Sequence, residues 1–347
     1  MLSSLRLIET IIIGLLGGYL FNHLNLPLPW VLGALTFIMI WQGTTKRTIY
    51  WPNLIKNIGL IILGIYFGMY FTIDTVTSVW PYLVPYTMLT VILILTSIVI
   101  SIFVTRWINV DKMTSVFGSI PGGLTEMVIA SEALHAKSSY VVIFQTIRLL
   151  TVLFTVPAVI IYFFPNQVTD YIIVENNPYS TLDWQMLWFL IPAIGGFILK
   201  DKIPAGIVIV PLAITAFLHI SPIELLNVPN YLVLGAQTAV GIGLGKNISF
   251  QDIRAGGKYG FVYFGVAIAL IIVSFGLGAL LASLTSLTLP TAILSVAPGG
   301  LIEMVLTASI VGADPAIVSS LQLTRILIII ILVPPALKWY FSREINT

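Results

Sequence analysis

The sequence predicts an all-α polytopic membrane protein built from two inverted-topology repeats, each with about five transmembrane helices and one re-entrant or broken Pro-Gly-Gly helix. Three observations predict it. Of the 347 residues, 58% are apolar and 9% charged, and the mean hydropathy is +1.03, whereas a soluble domain is ~25% charged. Apolar stretches of ~20 residues, enough to cross the hydrocarbon core as a helix, recur from end to end and leave no room for a water-soluble module. Finally, the chain matches itself at an offset of 177 residues.

Barrel strands alternate apolar and polar residues, but Val91 to Val104 is apolar or hydroxyl-bearing throughout, so the spans are helices. Apolar runs bounded by turn residues give segments at 7–21, 28–42, 50–72, 79–105, 112–134, 138–164, 182–199, 204–218, 228–245, 259–282, 289–310 and 317–337. The first has Arg6 before an apolar run, as a signal peptide does. It lacks a small-residue cleavage site, and its Gly17-Gly18 reappears as Gly195-Gly196, so a retained helix is expected. The one polar stretch separates an N-terminal repeat, 1–165, from a C-terminal repeat, 182–347, with 166–181 as an extracytoplasmic linker.

At the offset of 177, Pro121-Gly122-Gly123-Leu124-x-Glu126-Met127-Val128 falls on Pro298-Gly299-Gly300-Leu301-x-Glu303-Met304-Val305. The match runs on without a gap: Gln145 on Gln322, Arg148 on Arg325, Val156-Pro157 on Val333-Pro334. Upstream, Gly64 falls on Gly241 and Gly68 on Gly245. Small residues at such spacing indicate close helix packing, and the eight-residue motif with its polar followers indicates duplication.

Cytoplasmic loops carry Lys and Arg. If the 112–134 segment enters and leaves by one face, all 16 basic residues lie on the cytoplasmic side except Arg148 and Arg325, which fall inside apolar segments. If it crosses, Lys137 and the second-half loops up to Lys258 land outside. The charge distribution therefore selects five crossings and one re-entrant hairpin per half. That odd number inverts the second half and places both termini in the cytoplasm. Inverted repeats with discontinuous helices are typical of secondary transporters.

The breaks are the candidate site. Proline stops a half-helix, and glycines admit positive φ and close approach of a ligand. The next half-helix then points free N–H groups and a positive dipole end toward the midplane. Glu126 and Glu303 lie in its first turn, and Arg148 and Arg325 follow in the next segment, where burial of charge is costly. Three readings stay open: a structural Glu–Arg pair in each half, arginines that grip an anionic substrate, or a Glu that carries a coupling proton. Gln145 and Gln322, one helical turn before each Arg, are placed to orient either partner. The expected substrate- or ion-binding set is Pro121, Gly122, Gly123, Glu126, Gln145, Arg148 and Pro298, Gly299, Gly300, Glu303, Gln322, Arg325. Trp51, Trp80, Trp107 and Trp339 read as interfacial anchors.

Other chemistries lack their residues. There is no cysteine, and His23, His135 and His219 are far apart, so neither a metal centre nor thiolate catalysis is expected. A net charge of +2 with scattered basic residues excludes nucleic-acid binding.

The two PGGL-x-EM-V motifs, the Leu26 to Leu35 stretch (LPLPWVLGAL) and the duplication resemble the membrane AbrB family, once labelled ammonia monooxygenases. The resemblance implies a transporter of the cation:proton antiporter and anion transporter superfamily, a homodimer of the cell inner membrane whose core domain moves as an elevator. Ile203-Pro204-Ala205-Gly206 departs from the first half's Leu-Pro-Leu-Pro. The expected function is ion-coupled secondary transport of a small organic anion or amino-acid-like solute, with H+ or Na+ as coupling ion and no cofactor. The alternatives are a monovalent cation:proton antiporter and a non-transporting membrane regulator. An oxygenase would need a redox centre for which the chain has no ligand cluster.

Overall fold

In the computed structural model, which describes residues 2–345 except 46, 123, 135, 165–183, 204, 224 and 249, every regular element among the described residues is helical. The first half contains α1 (Leu2–His23), a π-helical turn at Pro29–Gly33 that runs into α2 (Ala34–Thr45), α3 (Asn53–Gly68), α4 (Ile73–Val104), α5 (Lys112–Ser119), α6 (Leu124–Ala133) and α7 (Ser138–Phe163). The second contains a 3-10 turn at Trp184–Phe189 that leads into α8 (Leu190–Leu199), α9 (Gly206–Ile220), α10 (Asn230–Asn247), α11 (Phe250–Leu284), α12 (Leu289–Val296), α13 (Leu301–Val311) and α14 (Pro315–Ile345). From α3 and α10 onward, every helix of the second half begins 177 residues after its counterpart. The 166–181 linker and Gly123 lie outside the described residues.

Among the described residues, five helices are long and apolar enough to cross a membrane: Leu5–His23, Ile73–Val104, Ser138–Phe163, Gly257–Leu284 and Pro315–Leu337. Several shorter apolar helices accompany them, so the chain is a multi-pass membrane protein. Within α11, Gly257, with φ of 47°, interrupts the helix where the long span begins.

The helices form two compact units, and each draws on both halves. The first comprises residues 1–80, 157–250 and 305–319. Within it α3 and α10, which correspond at the repeat offset, run antiparallel. The stem of Lys56 lies on Gly243, and Gly59 lies against Ala236 and Val240. The Lys246 ammonium donates to the Trp51 carbonyl at 2.9 Å. Trp51 is itself buried and donates its indole N–H to the Ala239 carbonyl at 3.1 Å. It is thus a packing residue rather than the interfacial anchor expected of it, unlike the exposed Trp80 and Trp107.

Glycines set the spacing in this unit. A Cβ at Gly64 would stand 2.6 Å from the Val208 carbonyl oxygen, and one at Gly68 2.6 Å from that of Leu212. A Cβ at Gly241 would collide with the Val31 carbonyl, and one at Gly245 would lie 2.7 Å from that of Leu35. Val208 and Leu212 are the repeat counterparts of Val31 and Leu35. Each half's third segment therefore packs on the other half's second, the reciprocal pattern of a two-fold axis. Lipid supplies little hydrophobic drive between helices, so association depends on such close backbone approach. The divergent Leu-Pro stretch keeps its geometry too: Leu28 and Ala205, counterparts at the offset, both take the left-handed conformation, with φ of 46° and 51°.

The second unit comprises residues 81–156, 251–304 and 320–347. Asp111 caps α5, accepting from the Thr114 amide at 2.9 Å. The Lys137 amide donates to Thr114 Oγ1 at 2.9 Å, so the chain leaving α6 returns beside the start of α5. The two half-helices form a hairpin. Its apolar side, Val116, Phe117, Ile120 and Met127, is buried with Ile94, Val141, Ile329, Val333 and Leu337.

Gly64→Leu and Gly241→Leu should each lower stability by about 1–3 kcal/mol through overpacking, whereas Gly235→Ala, where an added Cβ meets nothing within 4 Å, should leave it unchanged. Thermal melts of the purified protein read both outcomes.

Candidate functional site

A half-helix that ends inside a membrane leaves its last carbonyls without amide partners, and no water is present in hydrocarbon to take their place. At the end of α5 the backbone turns extended at Ile120, with ψ of 130°. Pro121 then forms the centre of a tight turn, in which the Gly122 amide donates to the Ile120 carbonyl at 2.7 Å. Proline's fixed φ suits that γ-type turn. At the end of α12 the same turn recurs: Ala297 has ψ of 135°, and the Gly299 amide donates to the Ala297 carbonyl at 2.8 Å.

The free carbonyls are met from the following long helix. Gln145 Nε2 donates to Phe117 O at 2.6 Å and to Ile120 O at 3.0 Å. Arg148 Nη1 donates to Ile120 O at 3.2 Å and Nη2 to Gly122 O at 3.1 Å. In the second half Gln322 Nε2 donates to Leu294 O at 2.7 Å and to Ala297 O at 3.3 Å. Arg325 Nη1 donates to Ala297 O, and Nη2 to Gly299 O at 2.6 Å. Every donor and every acceptor in one half has its counterpart at the offset of 177 in the other.

Both glutamines are fully buried, and Arg148 and Arg325 are 7% and 3% exposed. Each arginine lies ~15 Å along its helix from Ser138 or Pro315, about half the thickness of a hydrocarbon core. The guanidinium charge there offsets the negative end of the half-helix it caps. In both halves the glutamine Oε1 and the arginine Nε, all buried, have no hydrogen-bond partner.

Of the three readings left open for the charges, the structure adds a fourth: the arginine forks hold backbone. Glu303 is buried in the first turn of α13, its carboxylate folded back against Gly300. Glu126 occupies the equivalent turn of α6, and its side chain lies outside the described residues. Pro121, Gly122, Gln145, Arg148, Pro298, Gly299, Gly300 and Arg325 all line one cavity of about 180 Å³, together with Leu149, Leu301, Ile326, Ile329 and Ile330. Gln322 caps the second break from behind and is absent from this lining.

Two tyrosines complete the frame and were missed in the sequence, although Tyr86 falls on Tyr263 at the same offset. Tyr86 donates to the Ser295 carbonyl of α12 at 3.0 Å. Tyr263 bonds Ser115 Oγ of α5 at 2.7 Å, and Ser115 in turn donates to the Ser101 carbonyl at 2.8 Å. Each repeat's tyrosine thus anchors the other repeat's first half-helix.

The family model described as "Transition state regulatory protein AbrB" matches residues 30–341. "Uncharacterized protein YhjN" of Bacillus subtilis (strain 168) is 25% identical over 352 residues, which cover 92% of this chain and 89% of that protein. "Putative regulator AbrB" of Escherichia coli (strain K12) is 25% identical over 346 residues, covering 94% and 92%. No solved structure matches the chain.

Gln145→Leu and Gln322→Leu should each cost roughly 1–3 kcal/mol, because each leaves buried carbonyls short of a donor. Equal losses in the two halves, read from melts of the two variants, are expected from the matched geometry.

Proposed function

The chain belongs to the AbrB family, and we propose that it is an ion-coupled secondary active transporter of a small organic anion or amino-acid-like solute. One observation carries this reading: two helix breaks, each clamped by a buried Gln and Arg from the next helix, line a single cavity. Discontinuous helices that face each other at mid-depth are how secondary transporters hold solutes within a bilayer. In this reading the two hairpins are re-entrant from opposite faces of the cell inner membrane, both termini are cytoplasmic, and no enzymatic step is involved. The chain works as a homodimer, and the unit that carries the breaks moves as an elevator. Glu303, beside Gly300, is the candidate carrier of a coupling proton, and Na+ is the alternative coupling ion.

The geometry favours an anion over a monovalent cation. Unwound carbonyls coordinate Na+ in transporters, but here the Ile120 and Ala297 carbonyls each receive an amide, a glutamine and an arginine. Two fixed positive charges border the same space. The regulatory name carried by the Escherichia coli relative is the competing reading, and transport by the purified protein separates the two.

In proteoliposomes, Arg148→Lys and Arg325→Lys should fold and yet lose most solute uptake, because one ammonium cannot hold two carbonyls in a planar fork. Native uptake by both variants would overturn the assignment. The chain has no cysteine, so single replacements report topology cleanly. In intact cells Lys112→Cys and Lys137→Cys should resist an impermeant maleimide, while Thr288→Cys and Asp314→Cys should react.

A further inference from the structure

We infer that the first unit binds an anionic glycerophospholipid, with its phosphodiester between Arg6 and Arg47 and an acyl chain along the exposed side of α1. That unit is not the one that carries the two clamped breaks, so the site is independent of any solute they hold.

A cavity lies between the start of α1 and the chain that joins α2 to α3. Leu5, Arg6 and Glu9 line it from one side, and Trp41, Arg47 and Thr48 from the other. Both arginines are exposed and Glu9 is half-buried. Arg47 Nη1 lies 3.6 Å from Glu9 Oε1. An ion pair this open to solvent contributes little stability, and it engages one nitrogen of a group with five N–H donors. It ties the joining chain to α1 and leaves most of the Arg47 fork for the oxygens of a ligand.

A second pair of cations stands at the same end of the unit. Lys246 holds the Trp51 carbonyl, and the stem of Lys56 lies on Gly243, one helical turn before Lys246. Both lysines are half-buried, and among the described residues neither has an acidic partner. Trp51 shares an apolar cluster with Trp41 and Ile49, which also line or border the cavity. Four cations and one acid therefore gather there. Clustered Lys and Arg at the cytoplasmic end of membrane helices attract anionic headgroups, and an indole such as that of Trp41 is suited to headgroup depth.

The wall that leads away from the cavity selects a lipid over a soluble phosphate. Leu5, in the lining, is 61% exposed, and Ile8, Ile12 and Leu16 continue its stripe at helical spacing, each more than half exposed. Of the five long spans, α1 is the least buried. A soluble anion would leave that stripe bare, whereas a phospholipid meets the cations with its phosphate and the stripe with its hydrocarbon.

The test is a thermal-shift titration of the delipidated full-length protein in non-ionic detergent. The ligands are phosphatidylglycerol, phosphatidylcholine and phosphatidylethanolamine of identical acyl chains, and sodium glycerol 3-phosphate. Phosphatidylglycerol should raise the melting temperature with an apparent affinity at least about tenfold above the other three. The double variant Arg6→Gln/Arg47→Gln should lose that preference, and Arg106→Gln/Lys202→Gln, which removes two exposed cations elsewhere, should keep it. An equal response to phosphatidylcholine or phosphatidylethanolamine overturns the anionic site. Equal loss of preference in both double variants overturns it too, as attraction to net charge alone. A response to glycerol 3-phosphate as strong as that to phosphatidylglycerol overturns the lipid in favour of a soluble phosphate. The comparison among ligands uses the native protein, so a variant that fails to fold leaves it decisive.

Discussion

An interrupted helix has to find hydrogen-bond partners for its own broken end, and in this protein that need is met by one glutamine and one arginine per break. The cost of leaving such carbonyls bare is several kcal/mol each in lipid. The Gln145–Arg148 and Gln322–Arg325 pairs therefore do more than decorate a site. They make the extended turns at Pro121 and Pro298 tenable away from water.

The remaining features follow from that need. The clamp must come from a helix that passes the break at mid-depth, which fixes where along α7 and α14 the polar pair sits. It must also be rigid, and the crossed tyrosine anchors serve this: Tyr86 holds α12 and Tyr263 holds α5. Met127 and Met304 pack where Cβ atoms at Gly122 and Gly299 would stand, and neither glycine takes a positive φ, so these glycines supply room rather than backbone freedom. The two arginines that clamp the backbone also line the cavity.

Much of this was legible in the sequence. Segment boundaries, the duplication and the identity of the polar residues in the breaks all came from apolar run length and a constant offset, because a bilayer imposes length and depth on every segment. What the sequence did not reveal was the direction of the polar contacts. Arg148 and Glu126 lie close in sequence pattern, so a charge pair or a substrate grip was the natural reading. A backbone carbonyl leaves no mark in the alphabet, and the Nη donors go to carbonyls. Trp51 misled for a related reason. Its position near a segment end fits an interfacial anchor, but its indole N–H has a buried partner in Ala239 that only the fold brings near. The tyrosine anchors were visible as a match at the offset, but their partners, the Ser295 carbonyl and Ser115, lie in the other repeat, where only the fold brings them near.

The reciprocal glycine contacts have an assembly consequence. Gly64 and Gly68 of one half close on Val208 and Leu212 of the other, while Gly241 and Gly245 close on Val31 and Leu35. A half synthesised alone would present both a glycine face and the carbonyl ridge that fits it, yet it could not join the two within itself. Two copies of that half would satisfy each other only if one were inserted upside down, because α3 and α10 run antiparallel. In a single fused chain both orientations are supplied by one polypeptide, so each glycine face finds its carbonyl ridge without a second copy.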